Sequence, residues 1–279
     1  MLEIVEPAEG TVLAEVGEAG PEEIEAAVAA AVAAQPEWAG AAPNQRGAVL
    51  VALAERLEAE AGSLAELEAR NTGRPIAETR GDLAGAARTL RYNAGAAEAF
   101  GGETLPVDAP GLLLTRREPI GVCAAITAWN APLYLAVLKA APALVTGNTV
   151  VVKPSELTPL TTLRLAELAA EAGLPAGCLT VLTGEGASVG KALVEHPDVG
   201  RVSFTGSTAV GREIARLAAG SFKRLTLELG GKSACLVFED ADLERVGSLA
   251  PGGAFAMAGQ DCCARSRLIV HESVKDELV

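Results

Sequence analysis

The fold of this chain is decided by a stretch that runs Gly121-Val122-Cys123-Ala124-Ala125-Ile126 and continues Thr127-Ala128-Trp129-Asn130-Ala131-Pro132. An apolar run of strand length leads into a polar turn, and the proline that follows can open a helix. The pattern repeats, with strand-like runs at 149–152, 178–182, 201–204 and 225–229 and helical patterns at 133–145, 159–172, 187–195 and 208–218. This alternation predicts an α/β fold, a Rossmann-like open parallel sheet with helices on both faces.

The residues before this stretch predict other structure. Over residues 1–100 the apolar positions are spaced as in amphipathic helices, at about 21–35, 44–61 and 79–100. No clustered polar constellation emerges there, so we expect a scaffold. Between residues 101 and 119 glycines and prolines punctuate short apolar runs, which predicts an extended hairpin that projects from the body.

Composition and charge exclude several classes of protein. The net charge is −13 and aromatic residues are 3% of the chain, so the basic patch and stacking surface that nucleic acid requires are absent. No apolar run reaches membrane-spanning length, and Met1-Leu2-Glu3 does not begin like a signal peptide. With 49% hydrophobic residues the chain can bury a large core. We expect a globular cytoplasmic protein that binds neither nucleic acid nor membrane.

The cysteines fall into two groups. The chain has five cysteines at scattered positions and two histidines, which argues against a disulfide framework and against a zinc site. Cys123, Cys178 and Cys235 lie in or beside apolar runs, where a cysteine is usually a small buried hydrophobe. Cys262 and Cys263 are flanked by polar residues, so we expect an accessible and ionisable thiol there.

Polar side chains follow two of the predicted strands, at the edge where open parallel sheets bind ligands. Asn130 could direct its amide NH2 at a developing oxyanion, or it could be a turn or helix-capping residue. Lys153 and Glu156 could hold ribose hydroxyls, the lysine donating and the glutamate accepting, or they could form a surface ion pair.

Two glycine-containing loops are candidates for phosphate binding. The loop Gly184-Glu185-Gly186-Ala187-Ser188-Val189-Gly190 is one residue longer than the usual dinucleotide fingerprint and lacks the expected acidic residue, so it is a weak signal. Gly206 and Ser207 lie where a strand turns into a helix that Ser207 can cap. The free N–H groups and the positive end of that helix would meet a phosphate.

A base and a nucleophile can be identified downstream. Leu227-Glu228-Leu229-Gly230-Gly231-Lys232 ends an apolar run with a carboxylate, and Cys262 follows on a Gly-led turn. This pair suits covalent chemistry at a carbonyl. Neither His196 nor His271 belongs to a recognisable catalytic motif. A carboxylate is then the available base, and a partly buried glutamate with a pKa raised toward neutrality can serve.

Taken together and in this order, the motifs resemble those of the aldehyde dehydrogenase superfamily, NAD(P)-dependent enzymes that oxidise aldehydes to carboxylic acids through a cysteine thioester. The resemblance covers essentially the whole chain. It rests on five motifs: Trp129-Asn130, Lys153-Pro154-Ser155-Glu156, Phe204-Thr205-Gly206-Ser207-Thr208, Glu228-Leu229-Gly230-Gly231-Lys232 and Gly259-Gln260-Asp261-Cys262.

The resemblance implies a role for each matching residue. Cys262 resembles the nucleophile and Glu228 the base that activates water for thioester hydrolysis. Asn130, with the backbone N–H of Cys262, resembles the oxyanion hole, and Lys139 matches a lysine of a proton relay. The implied cofactor-binding residues are Ile126, Trp129, Lys153, Glu156, Gly186, Gly206, Ser207 and Leu229. A carboxylate at position 156 accepts from the 2′-OH of NAD and repels the 2′-phosphate of NADP, so we expect NAD as the cofactor.

The resemblance also implies how the chain is organised. Residues 1–100 would be N-terminal helices of the cofactor-binding domain and residues 101–119 an oligomerisation hairpin. Residues 120–230 would be the Rossmann-like dinucleotide-binding core, and residues 231–279 the beginning of a second, α/β catalytic domain. Full-length relatives of this kind would act on a small-molecule aldehyde as homodimers or homotetramers.

Two departures from the family pattern qualify these expectations. The chain stops soon after Cys262, so we expect it to be a fragment of a longer enzyme; a natural short product is the other interpretation. Met257 stands where the family often has asparagine, which questions a hydrogen bond that positions the catalytic loop. The alternative function is a catalytically silent nucleotide-binding or subunit-interacting protein. The aldehyde itself cannot be read from these residues.

Overall fold

A short antiparallel hairpin opens the chain in the computed structural model, which describes residues 1–278. Strand β1 (Leu2–Val5) pairs with β2 (Val12–Val16), and Ile4 is the one buried side chain of β1. The expectation that the first hundred residues are helical was therefore wrong at its start. The two strands are too short, and too rich in glutamate, for their alternation to stand out.

Four helices follow the hairpin and form the first part of the scaffold. They are α1 (Pro21–Gly40), α2 (Pro43–Ala59), α3 (Ala61–Thr72) and α4 (Ile76–Ala96). Three of them correspond to the predicted helices. The fourth, α3, was not predicted because only Glu60 separates it from α2 and no proline marks the boundary.

The segment after α4 is the predicted extended hairpin. Strands β3 (Thr104–Leu105) and β4 (Leu113–Leu114) pair antiparallel. All four residues of these strands are exposed, as is Leu112 between them.

Five parallel strands form the central sheet, with α/β connections as predicted. The strands are β5 (Val122–Ile126), β6 (Thr149–Lys153), β7 (Leu179–Val181), β8 (Val199–Gly206) and β9 (Arg224–Leu229). The helices between them are α5 (Pro132–Val145), α6 (Leu160–Glu171), α7 (Lys191–Glu195) and α8 (Thr208–Ala219). The strand order is β7-β6-β5-β8-β9. The order reverses between β5 and β8, the position at which such sheets bind ligands.

Helices cover both faces of this sheet, and β5 shows why. Cys123 and Ala125 pack into one buried cluster with side chains of α2, α4, α5 and α6. Val122, Ala124 and Ile126 pack into a second cluster with α1, α7 and α8. A strand that is buried on both faces is apolar at every position, as this one is.

The last part of the described chain is a smaller α/β unit. Strands β10 (Ala234–Val237) and β11 (Arg267–Val270) pair in parallel with each other. In the sequence, α9 (Leu243–Phe255) lies between them and α10 (Lys275–Leu278) follows β11. A short turn, Ala256–Gly259, connects α9 to the loop that carries Cys262. None of the helices in residues 1–278 has both the length and the apolar character to cross a lipid bilayer.

Candidate active site

Four of the predicted chemical groups line one cavity of about 560 Å³. Asn130 comes from the turn after β5, Lys139 from α5, Glu228 from the end of β9, and Cys262 from the loop after α9. Asn130 and Glu228 lie at the carboxyl ends of parallel strands, and these ends meet at one edge of the sheet. The sequence therefore predicted residues that the fold brings together.

Asn130 is bound to the loop that carries the cysteine. Its Nδ2 donates to the backbone oxygen of Gln260 at 2.8 Å, and its Oδ1 is buried without a hydrogen-bond partner. The N-cap of α5 is Ala131, with no side-chain hydrogen bond, so Asn130 is not a helix cap. An amide has two N–H donors, and one remains for a ligand in the cavity.

The Cys262 thiol is exposed, and its surroundings raise its pKa. Its pKa is raised, first by partial burial and then by Cys263, whose Sγ lies 3.7 Å away, and by the negative charge of Asp261. The expected accessibility of this thiol agrees with the structure, whereas the neighbours of Cys262 oppose its ionisation.

The loop before Cys262 has an unusual backbone. Met257 has φ 57 and Ala258 has φ 56, both in the left-handed region. Residues with a Cβ rarely adopt this conformation, which costs about 1–2 kcal/mol for each residue. Other interactions must hold the loop in this shape.

Glu228 is exposed at the end of β9, where it is registered opposite Thr205 of β8. The sequence indicated a partly buried carboxylate at this position, but residues 1–278 leave Glu228 exposed. Its side chain faces the same cavity as Cys262.

Lys139 lies deeper in the cavity. Its Nζ donates to Ser203 Oγ at 3.1 Å. Burial lowers the pKa of Lys139 to about 8, with a further lowering by Arg201 and an opposing effect of Glu228. A lysine with a pKa near neutrality can exchange protons at physiological pH.

The other side of the sheet edge has the features of a dinucleotide site. Lys153 is buried, and its Nζ lies 2.9 Å from Oε2 of Glu156. Burial raises the pKa of Glu156, but the hydrogen bond and charge of Lys153 outweigh it, so the pKa is lowered. The ion pair is half-buried. The Glu156 carboxylate stays ionised, so it can accept a hydrogen bond from a hydroxyl.

Ser207 caps α8 as predicted, accepting a hydrogen bond from the Val210 N–H at 3.2 Å. The remaining N–H groups of the first turn have no partner within the helix and can bind an anion. A Cβ at Gly211 in that turn would lie 2.6 Å from Leu229, so the helix packs closely on β9.

The remaining predicted cofactor residues differ in burial and local structure. Ile126 is buried at the tip of β5, whereas Trp129 is 40% exposed. Gly186 begins a π-helical turn, Gly186–Gly190, and not the α-helix predicted there; such turns are frequent at functional sites. The buried Thr127 Oγ1 has no partner. The N–H groups at the start of α8, the Glu156 carboxylate and the unpaired Thr127 hydroxyl are together groups that fit a dinucleotide.

The sequence analysis missed one polar cluster. Arg74, Glu78 and Asp82 form ion pairs beside the Asn130 turn and the Met257 loop, which corrects the expectation that the N-terminal helices lack a polar constellation. Their spacing by four residues was the available signal. Neither His196, which contacts Glu25, nor His271 lines the cavity.

The cysteines other than Cys262 and Cys263 are mostly buried, and one of them, Cys123, also lines the cavity. Cys123 and Cys178 are buried and have pKa values raised to about 11, chiefly by burial. Cys235 is only half-buried, so the expectation of full burial was wrong there.

Comparison with known proteins places the chain in a family. A family model described as the aldehyde dehydrogenase family matches residues 1–279. Three solved structures illustrate the similarity. PnpE from Pseudomonas sp. WBC-3, also solved in complex with nicotinamide adenine dinucleotide, is 45% identical with a TM-score of 0.97. Betaine aldehyde dehydrogenase from Staphylococcus aureus, in complex with NAD⁺, is 38% identical with a TM-score of 0.96. An NADP-dependent enzyme from E. coli is 38% identical with a TM-score of 0.97.

The match covers this chain more fully than it covers the relatives. Each alignment spans 99% of this chain and 57%, 56% and 58%, respectively, of the other chain. The chain therefore corresponds to somewhat more than half of each of these structures.

Proposed function

This chain belongs to the aldehyde dehydrogenase family, and from that premise we propose that it takes part in the NAD-dependent oxidation of an aldehyde to a carboxylic acid through a thioester on Cys262. The observation that carries the proposal is that Asn130, Glu228 and Cys262 line a single cavity. The family is one of oxidoreductases, but the activity of this chain, its substrate and its assembly are part of the proposal.

In the first step the Cys262 thiolate would attack the aldehyde carbon, and the carbonyl oxygen would become an oxyanion. The free N–H of Asn130 and the backbone N–H of Cys262 would stabilise that charge. Removing one such donor typically costs about 3 kcal/mol of transition-state stabilisation. Because the pKa of Cys262 is raised, the exposed thiol would first give its proton to water to form this thiolate.

Glu228 would act in the second half of the reaction. Its carboxylate would accept a proton from water, which then attacks the thioester and releases the acid. Exposure at the end of β9 allows this side chain to reach solvent. Lys139, with a pKa of about 8, would pass the proton on through Ser203.

The cofactor-side residues would bind and orient the dinucleotide. Lys153 and Glu156 would hold the adenosine ribose, and the N-terminus of α8 with Gly206 and Ser207 would receive the pyrophosphate. Ile126, Trp129, Gly186 and Leu229 would line the cleft around it. Bound NAD would supply the hydride acceptor of the oxidation. NAD is favoured over NADP by the ionised Glu156, and the NAD complexes of two relatives support this choice.

The domain organisation proposed from the sequence rests on the same premise. Residues 120–230 would bind the dinucleotide, residues 231–279 would begin the catalytic part, and the exposed β3–β4 hairpin would contact another subunit. The exposed leucines of that hairpin support a contact role.

The experiment that tests the function follows NADH formation from a panel of aldehydes. Cys262→Ala should abolish it, whereas Cys263→Ala, the matched control on the neighbouring thiol, should retain it. Glu228→Gln should keep a single burst of NADH and lose steady turnover, because acylation proceeds and hydrolysis stops. Binding of NAD without NADH formation in the wild-type protein would instead favour the alternative, a catalytically silent nucleotide-binding protein.

A further inference from the structure

The cluster of Arg74, Glu78 and Asp82 contacts both of the loops that build the candidate active site, yet none of these residues lines the cavity. Arg74 lies just before α4, and the two acidic residues lie one turn apart on that helix. The Arg74 side chain is 2% exposed and is paired with both carboxylates. A buried guanidinium with two acidic partners is held in place, because moving it away from them would leave a buried charge unpaired.

Each side of the cluster binds one loop. Arg74 Nη1 donates to the backbone oxygen of Asn130 at 3.2 Å. Glu78 Oε2 accepts from the backbone N–H of Met257 at 2.8 Å. The hydrogen bond from Asn130 Nδ2 to Gln260, and the one from Gln260 N–H to the Met257 oxygen at 3.1 Å, join the two loops to each other. Arg74, Asn130, Gln260, Met257 and Glu78 therefore form a closed ring of noncovalent contacts.

The ring lies at the place where the backbone is strained. Met257 and Ala258 both have a left-handed conformation, and Glu78 binds the first of them. Residues in such conformations persist only where the surroundings hold them. A charged acceptor makes a stronger hydrogen bond than a neutral one, which suits it to this task.

We propose that Glu78 is a positioning residue, which holds the strained Met257 turn so that Cys262 faces Asn130 across the cavity. Arg74 orients Glu78 and binds the Asn130 turn at the same time. The inference rests on the proposed function, since it assigns Glu78 a part in aldehyde oxidation without any contact to substrate.

Two measurements on the purified protein test it. One is the steady-state kcat with KM for aldehyde and for NAD, and the other is the rate at which iodoacetamide alkylates each cysteine, followed by peptide mapping. Glu78→Ala should lower kcat about tenfold or more, the loss typical for a hydrogen bond to a charged group, while KM for NAD stays nearly constant. It should also speed alkylation of Cys262, because a released loop would loosen the contacts with Cys263 and Asp261 that raise the pKa of this thiol.

Three controls separate positioning from general destabilisation. Glu78→Gln keeps an acceptor for the Met257 N–H and should recover much of the lost kcat. Glu58→Ala removes an ion pair of the same kind, with Arg91 of α4, and should change neither measurement. The buried Cys123 and Cys178 should stay unlabelled in every variant that remains folded.

The outcomes distinguish this inference from the function it rests on. Wild-type-like kcat and Cys262 alkylation in Glu78→Ala would overturn the positioning role, and so would equal labelling of all cysteines, which would mean simple unfolding. If the wild-type protein forms no NADH from any aldehyde, the proposed function fails. The alkylation comparison still decides in that case whether Glu78 holds the Cys262 loop.

Discussion

Asn130 Nδ2 lies 2.8 Å from the backbone oxygen of Gln260, two residues before Cys262, although the two residues are 130 positions apart in the chain. The tip of a central strand is thus bonded directly to the loop that carries the thiol. One N–H of the amide holds the loop and the other is left for a substrate oxygen. The Asn130 side chain would therefore both position the loop that carries Cys262 and donate to the substrate oxygen.

Replacing Asn130 by alanine should remove both contributions. We expect Asn130→Ala to lower kcat by about 10²- to 10³-fold, the usual cost of losing an oxyanion donor. NADH formation under saturating aldehyde measures it. Asn93→Ala is the control, because Asn93 makes a similar bond, to the Thr89 oxygen, away from the site. An equal loss in both variants would contradict a catalytic role for Asn130.

The stability of the protein should depend on pH through Lys139. Burial lowers the pKa of Lys139 from 10.5 to about 8, so the unfolded chain binds this proton more readily than the folded protein. Stability rises with pH where the unfolded state binds more protons. The destabilisation by charged Lys139 is thus fully present below pH 8 and disappears as the pH rises to 10.5.

The corresponding variant is Lys139→Met. It should have a higher free energy of unfolding than the wild type at pH 7, and the difference should shrink between pH 8 and 10.5. Urea unfolding at several pH values measures this, with Lys191→Met, on the exposed first residue of α7, as the control. A difference that does not change with pH would show that packing, and not the charge, is responsible.

Glu156 should control the choice of cofactor. Glu156→Gln removes the negative charge that would face a 2′-phosphate, and we expect the ratio of kcat/KM for NADP to that for NAD to rise about tenfold or more, since like charges in contact cost several kcal/mol. Glu167→Gln, on an exposed carboxylate paired with Arg164, should leave the ratio unchanged. A preference for NAD that survives Glu156→Gln would place the discrimination elsewhere.

The left-handed turn at Met257 should respond to residue type. Asparagine tolerates this conformation better than other residues with a Cβ, so Met257→Asn should raise the free energy of unfolding by up to about 1 kcal/mol. Met257→Ala keeps the unfavourable backbone and serves as the control. Chemical denaturation of both variants measures the difference, and equal stabilities would mean that the strain is relieved in solution.

The central sheet could be predicted because its inner strands β5 and β6 are largely apolar and are each followed by a polar turn and a helix start. The tip of β5, with Asn130, and the cap at Ser207 carry local signals of this kind. The start of α3 and the β1–β2 hairpin carry weaker signals, since Glu60 is an ordinary helical residue and Ile4 is the only deeply buried side chain of β1.

Parts of the site depend on contacts between distant residues and could not be predicted. The raised pKa of Cys262 follows from its packing and from Cys263 and Asp261, whose orientations the sequence does not specify. The ring through Arg74 and Glu78 joins three separate segments. The four-residue spacing of Arg74, Glu78 and Asp82 indicates a polar face but does not show which loops that face contacts.

The bond between Met257 and Glu78 spans 179 residues, and this separation bears on how the protein folds. Long-range contacts raise the contact order and form late, after the local helices and the sheet have closed the intervening loop. The turn at Met257 would then take its final shape near the end of folding, when α4 and the sheet edge are already docked. Refolding would restore helical content and tryptophan burial before it restores turnover.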